Sequence, residues 1–365
     1  MKVALLGAGH IGQTIAHLLH ATGDYRVTVA DQSAHALDML GTLDVQRIHL
    51  PSSQTDLAAV LRGHDAVVNA LPYHMAVQVA QAAKGAGCHY FDLTEDVAAT
   101  KAIAALAAGS AQAFMPQCGL APGFIGIVAH HLAQGFESLD EIKMRVGALP
   151  AFPTNSLKYN LTWSVDGLIN EYCHPCEAIY QHALTAMLPL EGLEHFSLDG
   201  VEYEAFNTSG GLGTLCETLH GKARSLDYKS VRYPGHRDLM KFLLSDLQLS
   251  KQQDKLKDIL RDAVPTTMQD VVLVFVTVSG QRQGVYVQDV FARKIFAQRA
   301  THDSGALSAI QITTAAGICA VVDLFREKKL PQQGFIRQEQ VALPDFLTNR
   351  FGKAYEQSSR IESIS

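Results

Sequence analysis

Val3-Ala4-Leu5-Leu6-Gly7-Ala8-Gly9-His10-Ile11-Gly12 is the stretch that decides the fold. A short apolar run of strand type leads into G-x-G-x-x-G, and Ile11, Ile15, Leu18 and Leu19 then recur at helical spacing. In such a strand-turn-helix unit each glycine has its own task. Gly7 makes the tight turn, Gly9 lets backbone N–H groups approach a pyrophosphate, and Gly12 lets the helix pack against the strand. The helix N-terminus, with His10 and Ile11 in its first turn, adds free N–H groups and the positive end of its dipole.

A second strand-type run, Arg26-Val27-Thr28-Val29-Ala30, ends at Asp31, which lies 19 residues beyond Gly12. A carboxylate at that spacing accepts hydrogen bonds from ribose hydroxyls. It also reads as the N-cap of a helix over 33–40, a role compatible with the first. A carboxylate there repels a 2′-phosphate, so NAD is the expected cofactor, ahead of NADP.

The rhythm continues through the first 120 residues. Strands are expected at 2–6, 26–30, 44–49, 65–70, 88–92 and 112–116, with helices such as 11–21 and 74–86 between them. Strands alternating with helices make an α/β doubly wound Rossmann sheet, parallel and covered on both faces. After Gly119-Leu120-Ala121-Pro122-Gly123 the pattern changes. A small-residue helix over 124–134 leads into longer strands near 141–148, 226–232, 269–279 and 284–296, with helices over 236–246 and 252–262 covering one face. Gly280-Gln281-Arg282-Gln283-Gly284 is a hairpin-type connection between the last two. The economical reading is a Rossmann domain over 1–120, an inserted, largely antiparallel α+β domain over 121–303, and a helix from Ser304 to Arg326 that returns the chain, through 304–350, to the first domain.

Composition bounds the rest. The 365 residues, 47% hydrophobic and 18% charged, provide for two apolar cores and no long disordered tract. The net charge of −6 is not gathered into blocks, so neither nucleic acid nor an anionic membrane is an expected partner. Six cysteines are too sparse for a secreted disulfide framework, and the apolar start is too short for a signal peptide. No uninterrupted apolar run approaches the ~20 residues of a membrane span, and the expected location is cytoplasmic.

Several separated pieces together resemble the saccharopine dehydrogenase family, in its lysine 6-dehydrogenase-like branch. They are Gly7–Gly12 with Asp31, Asn69-Ala70-Leu71-Pro72-Tyr73-His74, Gly119–Gly123, Arg232-Tyr233-Pro234-Gly235-His236, Asp270-Val-Val-Leu-Val and Thr313-Thr-Ala-Ala-Gly317. The segment from Asn155 through Trp163 and Glu171 to Tyr172 is closer to that branch than to the fungal saccharopine reductases. The resemblance implies an NAD-dependent oxidoreductase acting on a C–N bond of a lysine-like amino acid, most simply the ε-amine of L-lysine, and a homodimer or higher homo-oligomer built through the second domain. Saccharopine dehydrogenase or a carboxyalkyl-polyamine dehydrogenase is the alternative enzyme, and a non-catalytic dinucleotide-binding scaffold or sensor the alternative of another class.

The expected cofactor contacts are Gly7, Gly9, His10, Ile11 and Gly12, then Asp31 and Gln32, then Asn69, Ala70, Leu71 and Pro72 after the fourth strand. Asp92 and Thr94 after the fifth, and Gly119, Ala121 and Pro122 after the sixth, complete them. Ligands of open α/β sheets sit outside the carboxyl ends of the strands. Oxidising a C–N bond needs a neutral amine, a hydride acceptor and a base. By carry-over from the family motif the catalytic candidates are Tyr73 and Asp92, with the base left open between them and His74 and Asp96 in reserve. Arg232 is expected to fork onto an α-carboxylate, with His236 beside it at a domain edge, and Thr208, ahead of Ser209-Gly210-Gly211, to offer a contact from a second helix N-terminus. Trp163 either walls the substrate methylenes or packs in the core. A saccharopine-like substrate needs a second cation, for which Arg145, Lys158 and Arg224 are available. No metal site is expected: Cys173-His174-Pro175-Cys176 lacks a second cysteine pair, and His130-His131 cannot share one helix face.

Overall fold

The computed structural model describes residues 1–50, 56–299 and 306–356. The chain forms two compact units, one of Met1–Ile127 with Gln311–Ala354 and one containing Val128–Ile310. The boundaries thus fall at 127 and 310, seven residues later in each case than the chemistry of the sequence placed them. The expected start of the returning helix, 304–305, lies outside the described residues.

In the first unit the strands are β1 (Lys2–Leu6), β2 (Arg26–Asp31), β3 (Gln46–His49), β4 (Ala66–Asn69), β5 (His89–Asp92) and β6 (Ala113–Met115), joined at the edge by a short strand Gly334–Phe335. All pair in parallel, in the order 3-2-1-4-5-6 followed by Gly334–Phe335. This is the doubly wound Rossmann sheet. Helices α1 (His10–Ala21), α2 (Ala34–Asp38), α3 (Leu57–Leu61), α4 (Ala76–Ala86) and α5 (Val97–Ala107) cross over between strands. Strands β1, β2, β4, β5 and β6 are almost wholly buried, as parallel strands covered on both faces are, while β3 at the sheet edge is largely exposed. Leu6, Val67, Val79, Tyr90, Ile103 and Phe114 form one continuous core. The chain passes through α6 (Phe124–Ala133) towards the second unit.

The second unit is built on one mixed sheet. Its strands are β7 (Ser138–Pro150), β8 (Cys176–Tyr180), β9 (Ala183–Met187), β10 (Glu194–Leu198), β11 (Val201–Asn207), β12 (Ala223–Arg232), β13 (Asp270–Arg282) and β14 (Val285–Phe296). The main order is β10-β11-β12-β7-β13-β14, antiparallel except for the β12–β7 pair. Helices α7 (Val165–Cys173), α8 (Leu215–Leu219), α9 (His236–Lys241) and α10 (Gln253–Ala263) belong to this unit. Leu168, Met240, Leu244, Leu256 and Leu260 pack with Phe206 of the sheet. The α9 segment continues as a wider turn to Asp246, and Gln252 precedes α10.

The return helix α11 (Ala309–Arg326) is long and apolar enough to cross a membrane by length and composition, but 83% of it is buried inside the protein. Phe325 meets His89 and Phe91 of β5, ring centroids 4.6 and 5.3 Å apart. Asp323, 1% exposed, fastens it further. Its carboxylate accepts hydrogen bonds from Tyr25, Arg326, Asn349 and Arg350 at 2.6 to 3.1 Å.

Candidate functional site

In the first unit the glycines behave as their spacing requires. Gly7 has φ +103°, and a Cβ on it would lie 2.8 Å from the Ala70 carbonyl oxygen; a Cβ on Gly12 would lie 1.9 Å from the Gly7 oxygen. A Cβ on Gly9 meets nothing within 4 Å. The loop is therefore closed behind Gly7 and Gly12 and open in front of Gly9, where the N-terminus of α1 carries no side-chain cap and no acidic residue in its first turn. Open space, free N–H groups and a positive dipole end fit a pyrophosphate.

Asp31 ends β2 with Oδ2 accepting the Ala8 N–H at 2.6 Å and Oδ1 accepting the Ser33 N–H at 2.7 Å. The helix cap expected of Asp31 falls to Ser33, whose hydroxyl accepts the Ala36 N–H. Asp31 thus ties the glycine loop to β2 and stays partly exposed beside exposed Gln32. Asn69, 2% exposed, accepts the Leu71 N–H and donates to the Tyr90 hydroxyl, which sets the Ala70-Leu71-Pro72 turn at the end of β4. Tyr73 and His74 follow in a single 3₁₀ turn, Tyr73 half-buried and His74 exposed.

Asp92 is level with Asn69 across the β4–β5 pair. It is 1% exposed. Oδ2 accepts the Tyr90 hydroxyl at 2.6 Å, while Oδ1 accepts the N–H groups of Thr94 and Gln117 at 3.0 and 2.9 Å. Burial pushes its carboxyl up to about 6 against those three donors. Asp92 is thus occupied on both oxygens and joins the end of β5 to the loop after β6. Buried Thr94 lies in the same turn, its hydroxyl accepting the Asp96 N–H. In the loop after β6, Gln117 lies at φ 67° and Gly123 at φ +134°, and the bond before Pro122 is cis. Gly119 and Pro122 are buried, and Ala121 is partly exposed.

In the second unit Arg232 and His236 are not at an edge. Arg232, the last residue of β12, is 3% exposed, and His236 is 0% exposed. The guanidinium lies 5.2 and 5.9 Å from the ring centroids of Tyr159 and Tyr172. Its Nη1 donates to the Val231 carbonyl at 2.8 Å, and Nε has no hydrogen-bond partner among the described residues. His236 donates from Nδ1 to the Leu157 carbonyl, so its Nε2 accepts from the Tyr172 hydroxyl at 3.1 Å. Burial, with the charge of Arg232, pushes His236 down to about 3, so the imidazole is neutral. Glu171, 5% exposed, adds its negative charge to this cluster. Tyr159, Tyr172 and Glu171 carried no role in the sequence reading; their only signal was a place in the segment resembling the family.

Thr208 is buried, its hydroxyl bonded to that of Ser230 at 2.8 Å, and the helix expected after it, α8, has five residues starting at Leu215. The second helix N-terminus expected there is corrected accordingly. Trp163 packs into the core beside α7 and donates from Nε1 to the Tyr159 hydroxyl at 3.1 Å. Arg145, 2% exposed, is held between Glu194 and Asp227, and Arg224 pairs with Asp140. Lys158 donates to the Pro234 carbonyl. Cys176 is buried, which pushes its thiol up to about 12, away from the thiolate that redox or metal chemistry needs.

A doubly wound sheet with an open, anion-ready glycine loop, joined to a mixed-sheet unit enclosing a buried guanidinium, defines a dinucleotide-dependent oxidoreductase. Residues 3–114 match the family described as saccharopine dehydrogenase NADP binding domain, and residues 119–353 match saccharopine dehydrogenase C-terminal domain. The chain belongs to the saccharopine dehydrogenase family. Among solved structures it is similar to saccharopine dehydrogenase (L-Glu forming) from Saccharomyces cerevisiae, with 16% identity over 94% of this chain and 96% of that one at a TM-score of 0.78. It is also similar to the DAP dehydrogenase of C. glutamicum in complex with DAP, with 12% identity over 94% and 95% at a TM-score of 0.51. At these identities the likeness is one of fold.

Proposed function

We propose that this chain is an NAD-dependent dehydrogenase that oxidises free L-lysine at its ε-amine to 2-aminoadipate 6-semialdehyde, releasing ammonia. The observation that carries the reading is Arg232. A guanidinium stays charged at any accessible pH, and this one is buried among tyrosines with Nε unpartnered, a ready receptor for the α-carboxylate of an amino acid. His236 is neutral and the Tyr172 hydroxyl uncharged, so neither competes for the guanidinium as a carboxylate would; Glu171 is the one negative charge already near it, and a substrate carboxylate has to bind alongside that charge.

Two further observations support the details. Asp31 offers a carboxylate where NADP needs room for a phosphate, which favours NAD although the matching family is named for NADP. Arg145 is already engaged by Glu194 and Asp227 and Arg224 by Asp140, so two of the three cations foreseen for a second substrate carboxylate are occupied. This favours lysine over saccharopine or a carboxyalkyl-polyamine.

When bound, the nicotinamide supplies the two-electron acceptor. Backbone N–H groups of Gly9, His10, Ile11 and Gly12 would hold the pyrophosphate and Asp31, beside Gln32, the adenosine ribose. The turn Asn69–Pro72 and the loop Gly119–Pro122 would border the rest. Lysine's ammonium, with a reference pKa of ~10.4, must lose a proton before its carbon can be oxidised. The expected setting is a cytoplasmic homodimer or higher homo-oligomer; exposed Val285, Tyr286 and Val290 on the edge strand β14 are consistent with a covered surface there.

The test is absorbance of the reduced cofactor on adding lysine alone, saccharopine alone or neither, with NAD and with NADP. Growth with lysine and NAD is expected. Dependence on saccharopine would replace the substrate, and silence with measurable NAD binding would leave a dinucleotide-binding scaffold.

A further inference from the structure

Three carboxylates stand at the end of β5 and in the turn after it, Asp92, Glu95 and Asp96, and the fold uses two of them. Asp92 joins β5 to the loop after β6 as described above, and Asp96 caps α5 by accepting the Ala99 N–H at 2.7 Å. Glu95 stands apart. It is half-buried, its one favourable contact is with its own backbone N–H, and no described cation pairs with it. Its turn leaves the sheet at the carboxyl end of β5, adjacent to the Asn69–Pro72 turn of β4, since Asp92 and Asn69 are level in the ladder. That is the side of an open α/β sheet on which cofactor and reactant sit.

We propose that Glu95 is the proton acceptor of the reaction, an inference that rests on the chain being an amine-oxidising dehydrogenase. Burial, together with the negative charges of Asp96 and Asp92, pushes its carboxyl up to about 7, against its own backbone N–H. A base poised near the working pH is the most effective one. The Glu95 carboxylate takes one proton from the substrate ammonium, which frees the nitrogen lone pair. The adjacent C–H bond breaks, its hydrogen and electron pair pass as hydride to the oxidised nicotinamide dinucleotide, and a C=N bond forms. Water adds to that imine and the C–N bond breaks, leaving aldehyde and ammonium, while Glu95 returns its proton to solvent.

The experiment begins with the wild-type enzyme, lysine and NAD, measured between pH 5.5 and 9. Because the active form is deprotonated, kcat/KM is expected to rise with pH to a plateau, with a break near 7. Glu95→Gln is expected to lose about 100-fold in kcat together with the break, while binding NADH as the wild type does. Glu95→Asp is expected to recover part of the rate with the break displaced. A Glu95→Gln enzyme with wild-type kcat and an unchanged break overturns the proposal. Carbon-13 NMR of protein labelled at the glutamate side-chain carboxyl reads the same group without turnover. A resonance that titrates near neutrality and is missing in Glu95→Gln supports the assignment, and no glutamate titrating above pH 6 overturns it. If the wild type turns over neither lysine nor saccharopine, the functional reading fails on its own, and the NMR still decides on Glu95.

Discussion

The Tyr172 hydroxyl donates a 3.1 Å hydrogen bond to Nε2 of His236, which fixes His236 as a neutral acceptor directly beside the charge of Arg232. The consequence is a pH-dependent cost of folding. In the unfolded chain this histidine takes up a proton below ~6.5, whereas in the folded chain it does so only near 3. Between those values the unfolded state binds more protons, so stability falls as pH falls. His236→Gln, which retains a donor and an acceptor, is expected to lose roughly 2 kcal/mol less than the wild type between pH 6.5 and 4.5. Urea unfolding of both proteins at the two pH values measures it, and equal losses would remove the neutral-histidine assignment.

Arg232 gives the companion prediction. Removing a buried partner of a charged group costs about 3 kcal/mol of binding, roughly 100-fold. Arg232→Ala is therefore expected to raise KM for lysine about 100-fold with little change in NAD affinity, since the residues proposed to bind the cofactor belong to the other unit. Arg232→Lys is expected to recover only part of it, because an ammonium cannot fork onto a carboxylate. Steady-state kinetics and a fluorescence titration with NADH separate the two effects; parallel losses in both count against the carboxylate role.

The two glycines of the loop separate cofactor binding from folding. A methyl on Gly12 would sit 1.9 Å from the Gly7 oxygen, so Gly12→Ala must displace backbone and is expected to lower stability by about 2 kcal/mol or more. A methyl on Gly9 meets only open space. Gly9→Ala is expected to leave thermal stability within about 0.5 kcal/mol of wild type while weakening dinucleotide binding at least about tenfold. Calorimetric melting with and without NADH distinguishes them, and unimpaired binding by Gly9→Ala would mean that the pyrophosphate does not approach here.

What the sequence made legible, and what it hid, follows from where the physical signal lies. Strands β1, β2, β4, β5 and β6 were readable because each is largely buried and written as a short run rich in apolar residues, whereas β3, Gln46-Arg47-Ile48-His49, is largely exposed and carries one apolar residue. The hairpin β8–β9 and strands β10 and β11 were missed because β9 and β10 are largely exposed, and because β8 and β11, though mostly buried, mix polar and apolar residues without a clear apolar run. A turn signal, Asp199-Gly200 with φ 52° and 74°, was present between β10 and β11. Gln181-His182, with φ 49° and 66°, makes the same kind of turn with residues that do not announce it. Arg232 was found by its motif but placed at an edge, because nothing local says that Tyr159, 73 positions earlier, closes over it. Asp92 and Glu95 were indistinguishable as letters. Only the donors Tyr90, Thr94 and Gln117 show which of them is occupied.

Asp323 offers a test of how the returning helix is held. Burial alone would raise its carboxyl, but the hydrogen bonds from Arg350, Tyr25, Asn349 and Arg326 outweigh that and hold it at about 2. With an unfolded value of ~3.9, the carboxylate contributes roughly 2 to 3 kcal/mol above pH 4, lost as pH falls through about 2. Asp323→Ala removes the buried acceptor of Tyr25 and Asn349 and one of the two carboxylates that Arg326 and Arg350 share, Asp24 remaining, and is expected to cost about 2 kcal/mol at pH 7. The variant should also lose that part of the acid dependence, a pairing visible in urea midpoints from pH 7 to 3.

In the proposed reading Asp31 is the residue on which cofactor choice turns, and its hydrogen bonds complicate the obvious experiment. Because Oδ2 accepts the Ala8 N–H and Oδ1 the Ser33 N–H, truncation to alanine releases the glycine loop and should weaken both cofactors. The informative quantity is their ratio. Asp31→Asn keeps one acceptor for the loop and removes the negative charge that opposes a 2′-phosphate, so it is expected to weaken NAD modestly and strengthen NADP. The NAD to NADP preference should then move at least about tenfold, or about 1.4 kcal/mol. Fluorescence titrations with NADH and NADPH at two salt concentrations read it directly, and added salt should narrow the wild-type preference because part of it is charge repulsion. A ratio unchanged in Asp31→Asn and in Asp31→Ala alike would remove Asp31 from the ribose and leave the NAD preference without a residue to explain it.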